Sequence, residues 1–417
     1  MNAHVAPLRT RSAIALVAVA IAGLLLLALG SARAEAKAKP KAAKVSKVTK
    51  GPKGLKFYKP PKNLPKQHGA LIWARKATGL VPLADAKYTK LVLYSSRTPQ
   101  GGKTAVSGSI SVPKGKPPMG GWPVISWAHG TTGVADACAP SRNSATSPAS
   151  ASISYIYPDL NEWLRAGYAV AQTDYQGLGT PGRHPYLIGE AEGRSVLDIV
   201  SAARRLDPKI SKRFLIAGHS QGGQSALFAA GEASSWAPKL RLRGTVAFAP
   251  ASHILEQVPL LPALTAPSGL TALATMILNG ASTQSSAIDV NKILSDEVLP
   301  FYPLLQSQCL QQLGASNELG GIPPSHLLRS GADLSPVNPV LAAMNPLVTT
   351  AAPILIAQGT ADTTVFPNYT DQLKDELVKA GDQVTYNKYP GVNHVGVVTT
   401  GEPDALAFFR QMLPPRS

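Results

Sequence analysis

Short apolar runs alternate with amphipathic stretches along most of this chain. Eight of the runs predict strands, because they are short and bounded by glycine, proline or polar turns. They cover residues 90–96, 104–112, 122–129, 167–174, 214–219, 244–250, 353–359 and 384–389. Helical periodicity predicts helices over 152–166, 190–206, 368–380 and 402–413, and one directly after residue 220. This alternation predicts an α/β fold with a mostly parallel sheet covered by helices on both faces.

The alternation is interrupted between Pro250 and Pro353. Residues 251–346 are rich in Leu, Ala, Pro and Ser, with helical patches but no convincing buried strand. We predict a helical insertion at the carboxyl ends of the strands, the edge at which such sheets bind ligands. Its many apolar side chains fit two interpretations: contact with a bound apolar ligand, or the insertion's own core.

The N-terminal segment has the pattern of a targeting sequence. Arg9 and Arg11 precede an apolar run from Ala13 to Gly30, and small residues follow at 31–34. This predicts a secretory signal peptide over residues 1–34 and a secreted protein. The run of 18 residues also approaches the length of a membrane span, so an uncleaved anchor is the alternative.

Positive charge is concentrated at the same end of the chain. The 417 residues carry a net charge of +17, and residues 1–66 hold 11 Lys, 3 Arg and one acidic residue. We predict a flexible Lys- and Pro-rich linker over 35–66 and a single domain over 67–417 that is monomeric. The linker has only two aromatic residues for stacking, Phe57 and Tyr58, so nucleic acid is not an expected partner. Weak contact with anionic cell wall or lipid is the alternative to a solvated spacer.

One predicted strand leads into a motif that carries chemistry. The apolar run that begins at Phe214 ends in Gly218-His219-Ser220-Gln221-Gly222, and helix-favouring residues follow. This is the G-x-S-x-G nucleophile elbow in its strand–turn–helix context. Ser220 is therefore the predicted nucleophile, and the two flanking glycines leave room where chain segments crowd.

A serine nucleophile needs a general base and a group that orients the base. In this arrangement the acid and then the histidine follow the serine in chain order, on loops after strands. Asp362 and His394 meet both conditions. We predict His394 as base and Asp362 as its partner, with the His219 side chain pointing away from the nucleophile. Asp174 precedes the serine and is predicted to bond loop amides.

The tetrahedral intermediate needs two backbone donors. We predict the amides of Gln221 and Thr131, with Gly130 as the alternative to Thr131. No metal-ligand spacing, Walker loop or dinucleotide fingerprint occurs in the sequence, so no metal or cofactor is predicted. The two cysteines, Cys138 and Cys309, allow one disulfide or are two unrelated thiols.

Several of these motifs together resemble those of a known family. The stretches are 127–133, 174–179, 218–223, 359–362 and 393–394. They are similar to those of the α/β-hydrolase superfamily and, within it, of the secretory lipases. The resemblance implies an eight-stranded sheet with an apolar cap over an acyl channel, and a disulfide that joins Cys138 to Cys309. It also implies hydrolysis of carboxylic esters, including acylglycerols, through an acyl-enzyme. A serine peptidase and a non-catalytic lipid-binding protein remain the alternatives.

Overall fold

The computed structural model describes residues 48–415, and a nine-stranded sheet lies at their centre. The strands are β1 (Leu71–Lys76), β2 (Ala86–Arg97), β3 (Lys103–Pro113), β4 (Trp122–Ala128), β5 (Ala169–Thr173), β6 (Ile210–His219), β7 (Arg241–Phe248), β8 (Ile354–Gly359) and β9 (Val384–Tyr389). Their order across the sheet is β1-β2-β3-β5-β4-β6-β7-β8-β9. Neighbouring strands are parallel from β5 to β9, and only the β1–β2, β2–β3 and β3–β5 pairs are antiparallel.

Eleven α-helices lie in the described part of the chain. They are α1 (Ser150–Ser154), α2 (Tyr157–Arg165), α3 (Gly189–Leu206), α4 (Gln221–Trp236), α5 (Ile254–Gln257), α6 (Leu270–Ala281), α7 (Val290–Ile293), α8 (Leu310–Leu313), α9 (Asn338–Ala343), α10 (Pro367–Lys379) and α11 (Gly396–Met412). Helices α5 to α9, with short 3-10 turns, all fall between β7 and β8. The predicted insertion at 251–346 is therefore helical, and it begins after the carboxyl end of β7.

Both faces of the sheet are buried, as the alternating side chains of its central strands require. In β4, Ile125 and Trp127 pack in one core cluster with residues of α2 and α11. Val124 and Ala128 point to the opposite face and pack in a second cluster with α3 and α4. Because a strand alternates its side chains with a period of two, apolar residues at consecutive positions need helices on both sides. The α/β prediction is confirmed.

The sheet has one strand more than the eight that the resemblance implied. The additional strand is β1, which lies at the edge and pairs antiparallel with β2. It was not predicted because its sequence, Leu-Ile-Trp-Ala-Arg-Lys, neither alternates nor forms a wholly apolar run. Of its six residues only Ala74 is buried, so the usual hydrophobic signal of a strand is missing.

The second half of the predicted linker is folded, which corrects the boundary at residue 66. Phe57 and Tyr58 are buried, and their cluster includes Leu93 of β2. The Trp73 indole N–H donates to the carbonyl of Phe57, and the Tyr58 hydroxyl donates to the carbonyl of Ser141. Two aromatic side chains in a Lys-rich segment were too weak a signal against its overall polarity. The predicted signal peptide and residues 35–47 of the linker lie outside the described residues.

Two helix boundaries also differ from the prediction. The helix predicted at 152–166 is divided into α1 and α2, and Pro158 stands in the first turn of α2. Helix α11 begins at Gly396 rather than at 402, and it contains both Gly401 and Pro403. Those residues disfavour a helix interior, and tertiary packing of α11 against β7 and β8 overrides that preference. Between Val48 and Pro415, no helix has the length and apolar character of a membrane span.

The structure contains the disulfide between Cys138 and Cys309 that the resemblance implied. It links the loop after β4 to the inserted helices, and the backbone beside it forms a bridge between Gly133 and Cys309. Both cysteines are fully buried. The bond therefore joins two segments that are 171 residues apart in sequence, one on the loop after β4 and one in the cap.

We expect Cys309→Ser to lower the free energy of unfolding by about 2–5 kcal/mol, because the bond restricts a long loop in the unfolded chain. Denaturant unfolding with and without a thiol reductant measures this. The reductant should lower the wild-type midpoint to that of the variant and leave the variant unchanged. A wild-type midpoint that does not respond to reductant would exclude this contribution.

Candidate active site

The nucleophile elbow is a strained turn between β6 and α4. Ser220 has φ +59° and ψ −120°, a conformation that residues with a side chain rarely adopt. Its amide donates to the carbonyl of Phe248 and its carbonyl accepts from the amide of Ala251, so β7 and its loop hold the turn in place. A methyl group on Gly218 would lie 2.0 Å from the Gly222 carbonyl oxygen, and one on Gly222 would lie 1.9 Å from the Ala128 carbonyl oxygen. Glycine is therefore required at both positions.

Two strand-end loops bring the predicted partners to Ser220. Asp362 follows β8, and His394 lies between β9 and α11. The His394 Nε2 atom is 2.9 Å from Ser220 Oγ, and its Nδ1 atom is 2.7 Å from Asp362 Oδ2. The three residues span 174 positions of sequence and form one chain of hydrogen bonds. This geometry is that of a nucleophile, a base and the carboxylate that orients the base.

The Asp362 carboxylate is buried and well supplied with donors. Its Oδ1 accepts from the amides of Thr364 and Val365, and its Oδ2 also accepts from the Gln358 side chain. Burial raises the pKa of this carboxyl, but hydrogen bonding and attraction to His394, together with the two amides, outweigh burial. The pKa of Asp362 is therefore lowered, and the group is an anion that can stabilise a histidine cation.

The two predicted oxyanion donors lie on opposite sides of the nucleophile in sequence. Gln221 is the first residue of α4, so its amide belongs to the unpaired N-terminal turn of that helix. Thr131 lies on the loop after β4 and lines the same cavity as Ser220 and His394. Its hydroxyl is 2.6 Å from the hydroxyl of Tyr186, which anchors the loop beside the site.

A buried carboxyl that sequence reasoning did not identify lies next to this turn. Glu192 of α3 accepts from the Gln221 side chain at 2.7 Å and from the Leu187 amide at 2.9 Å. The Ser225 hydroxyl also donates to it. Burial raises the pKa of Glu192 to about 7. The carboxyl fixes the side chain of the residue that follows the nucleophile, and helical periodicity alone could not distinguish it from a surface glutamate.

His219, which was predicted to point away from the nucleophile, lies beside the predicted base, a contact that the sequence did not indicate. The His219 ring lies 4.6 Å from the His394 ring, measured between centroids, and lines the same cavity. It is 2.9 Å from the His394 carbonyl oxygen through Nε2 and 2.8 Å from the Tyr155 hydroxyl through Nδ1. The His219 side chain therefore contacts the loop that carries His394.

Ser220 lies in the wall between two cavities. One has a volume of about 140 Å³ and is lined mostly by apolar side chains, many of them from the cap, among them Val258, Leu261 and Ile277. The other has a volume of about 1050 Å³ and contains Thr131 and His394. Uncharged polar side chains also line this larger cavity, including Ser152, Thr265, Ser268, Gln311 and Thr363. Ser220 therefore has an apolar space on one side and a wider, more polar space on the other.

Three other aspartates, Asp371, Asp382 and Asp174, bond to groups other than Ser220 and His394. Asp371 pairs with Lys388 and accepts from the Tyr386 hydroxyl, and Asp382 accepts from the Thr350 amide. Asp174 accepts from the Ser141 amide and hydroxyl and from the Ser107 hydroxyl. Among residues 48–415, no three His, Cys, Asp or Glu side chains form a group that could hold a metal ion.

Comparison with known proteins gives one family and many related structures. The model of the family described as secretory lipase matches residues 144–305. The chain is similar to Candida antarctica lipase A in its closed state, with a TM-score of 0.74, 18% identity and 85% of each chain covered. It is also similar to the rice cell wall degrading esterase LipA from Xanthomonas oryzae, with a TM-score of 0.67 and 18% identity over 84% of this chain and 99% of that one. No curated protein sequence matched the chain.

These comparisons confirm the resemblance that the motifs indicated. The structural matches, at 18% identity, establish the shared fold. The family match covers α1 to the middle of the cap, a region that includes the nucleophile elbow. Family and fold together identify a carboxylic ester hydrolase similar to the secretory lipases.

Proposed function

We propose that this carboxylic ester hydrolase uses Ser220, His394 and Asp362 as a catalytic triad and acts through an acyl-enzyme. The continuous hydrogen-bond path from Asp362 through His394 to Ser220 is the observation that supports the proposal. A serine hydroxyl is a poor nucleophile at neutral pH, and a base at 2.9 Å removes that obstacle.

The proposed reaction has two halves. His394 Nε2 accepts the proton of Ser220 as Oγ attacks the ester carbonyl carbon, and the carbonyl oxygen becomes an oxyanion that the amides of Thr131 and Gln221 would stabilise. The tetrahedral intermediate collapses, and the protonated histidine gives its proton to the leaving alcohol. Water then repeats the attack on the acyl-enzyme, with His394 again as base, and the carboxylic acid leaves.

The two cavities support an assignment of the two halves of the substrate. An acyl chain fits the smaller cavity, because its lining is mostly apolar and comes largely from the cap. The alcohol fits the larger cavity, where Ser152, Gln311 and Thr363 supply polar contacts without a charge. A glycerol ester has this combination of a hydrocarbon tail and an uncharged polar alcohol. Acylglycerols are therefore the proposed substrate class.

We also propose that the protein is exported and acts as a monomer. The signal-like pattern of residues 1–34 and the buried disulfide both support an oxidising compartment outside the cytoplasm. The secretory lipase match is consistent with export. Contact of the Lys-rich segment with anionic wall polymer or lipid would help to keep the enzyme near its substrate.

Hydrolysis of esters of graded acyl length tests the substrate assignment. Each methylene that the smaller cavity buries should raise kcat/KM by up to about fourfold, which corresponds to ~0.8 kcal/mol, until the cavity is full. The Ser220→Ala variant serves as the blank in every assay. Cleavage of peptides without cleavage of esters would favour a peptidase, and binding of lipid without any turnover would favour the non-catalytic alternative.

We expect Ile277→Trp to shorten the preferred acyl chain. Ile277 lines only the smaller cavity, so the larger side chain removes space there and should lower kcat/KM for long-chain esters relative to short ones by roughly tenfold. The matched control is Ala266→Trp, which adds the same side chain to the larger cavity alone. An equal loss for all chain lengths in Ile277→Trp would contradict the acyl assignment.

A further inference from the structure

His219 forms a direct link between the strand that carries the nucleophile and the loop that carries the base. It is the residue before Ser220, and its side chain is almost fully buried. Its Nε2 atom is 2.9 Å from the carbonyl oxygen of His394, and its Nδ1 atom is 2.8 Å from the hydroxyl of Tyr155. The proposed reaction gives no chemical task to either His219 or Tyr155.

The partners of the His219 ring define its protonation. A carbonyl oxygen can only accept, so Nε2 must carry the hydrogen that it donates to His394. Burial and the nearby charge of His394 lower the pKa of His219 to about 3, so the ring is neutral at ordinary pH. Nδ1 is then an acceptor, and the Tyr155 hydroxyl donates to it. Burial raises the pKa of Tyr155, so that hydroxyl keeps its proton.

We propose that His219 is a positioning residue that holds the main chain of His394 at a fixed distance from Ser220, and that Tyr155 holds His219 in the tautomer this requires. The inference rests on the proposed triad and extends it. Two contacts define the position of the His394 imidazole. The Asp362 carboxylate holds its Nδ1 atom, and the bond from His219 holds the His394 backbone. Without the His219 bond, only the carboxylate and the loop would define where Nε2 lies.

The loop after β4 packs against the same pair of side chains. A methyl group on Gly130 would lie 3.3 Å from His219 Nδ1 and 3.5 Å from the Tyr155 hydroxyl oxygen. Gly130 precedes Thr131, one of the proposed oxyanion donors. The Tyr155–His219 pair thus contacts the loop that would stabilise the oxyanion as well as the loop that carries the base. A shift of about 1 Å in a reacting group can lower a rate by roughly 100-fold, so this placement matters for catalysis.

The test compares His219→Leu, His219→Gln and Tyr155→Phe by steady-state kinetics on a short-chain nitrophenyl ester. We expect His219→Leu to lower kcat by roughly 10–100-fold with KM changed by less than about twofold, because positioning of the base acts on the chemical step. His219→Gln keeps an N–H at a similar reach and should recover most of the loss. Tyr155→Phe should lower kcat by a smaller factor. The double variant Tyr155→Phe/His219→Leu should be no slower than His219→Leu alone.

The controls separate positioning from loss of fold. Tyr168→Phe removes a buried hydroxyl that donates to the carbonyl of Leu413, away from Ser220, and should leave kcat unchanged. Titration of reactive serine with a phosphonate ester gives the concentration of folded sites, to which each kcat is normalised. If His219→Leu does not fold, the kcat values of Tyr155→Phe and Tyr168→Phe are compared instead, and only Tyr155→Phe should have a lowered kcat.

Three results would overturn the inference. They are full kcat in His219→Leu, an equal loss in His219→Leu and His219→Gln, and full kcat in Tyr155→Phe where His219→Leu does not fold. Ser220→Ala measured in parallel distinguishes failure of the proposed triad from failure of the positioning role of His219. Turnover that survives Ser220→Ala would refute the proposed triad itself, whereas its loss in Ser220→Ala with full activity in His219→Leu would refute only the positioning role.

Discussion

Replacing Ser220 with alanine is expected to lower kcat for ester hydrolysis by roughly 10⁶-fold, the size of effect found when the nucleophile of a serine triad is removed. His394 would still be oriented by Asp362, but it would have no hydroxyl to deprotonate. The fold should persist, because alanine keeps the Cβ atom and the elbow is held by main-chain bonds to Phe248 and Ala251. The free energy of unfolding should therefore change by no more than about 1 kcal/mol. Nitrophenyl-ester turnover and denaturant unfolding measure the two effects.

A buried serine elsewhere in the sheet gives the matched control. Ser126 of β4 donates its hydroxyl to the carbonyl of Val196 and is fully buried. Ser126→Ala should cost about 1 kcal/mol of stability and leave turnover intact. Turnover that persists in Ser220→Ala, or that is lost equally in both variants, would be incompatible with Ser220 as nucleophile.

Asp362→Asn should lower kcat by roughly 10⁴-fold, because it changes the tautomer of His394. The amides of Thr364 and Val365 donate to Oδ1, so the asparagine oxygen should keep that side and its NH₂ group should face His394 Nδ1. A donor there forces the histidine hydrogen onto Nε2, the atom that must accept the proton of Ser220. The base would then be correctly placed and wrongly protonated.

Asp371→Asn is the control for this variant. Asp371 lies on α10 and pairs with Lys388 at the surface. Its replacement by asparagine also converts a carboxylate to an amide, but it does not involve His394. Its kcat should equal that of the wild type. Phosphonate labelling of Ser220 in Asp362→Asn should reach full stoichiometry at a slower rate. Full activity in Asp362→Asn would mean that another group orients His394.

The meeting of Ser220, Asp362 and His394 could be predicted from the sequence because parallel strands end at one edge of the sheet. Ser220, Asp362 and His394 each follow a strand, and the order of strands β6, β7, β8 and β9 brings their loops together. Their residue types and chain order then left few candidates. The apolar composition of 251–346 likewise predicted the cap, although its individual helices are too short to show clear periodicity.

The parts that sequence reasoning missed depend on contacts between distant segments. Tyr155 and His219 are 64 residues apart, and nothing in the pattern around either one indicates that they meet. Glu192 occupies a helical position that polarity alone assigns to the surface, and only the fold shows it beneath the elbow. Strand β1 and residues 57–58 have polar neighbours in sequence, so neither segment shows the hydrophobic pattern that predicts a buried element.

Covalent labelling by a fluorophosphonate, with the labelled residue mapped by peptide mass spectrometry, identifies the activated serine directly. The reagent reacts with a serine only when a nearby base activates it and an oxyanion site accepts the phosphonyl oxygen. If Ser220 is the activated nucleophile, one adduct forms, on Ser220, at the same rate as ester hydrolysis is lost, and Ser220→Ala forms none. An adduct on another residue, or complete inactivation with Ser220 unmodified, would contradict it.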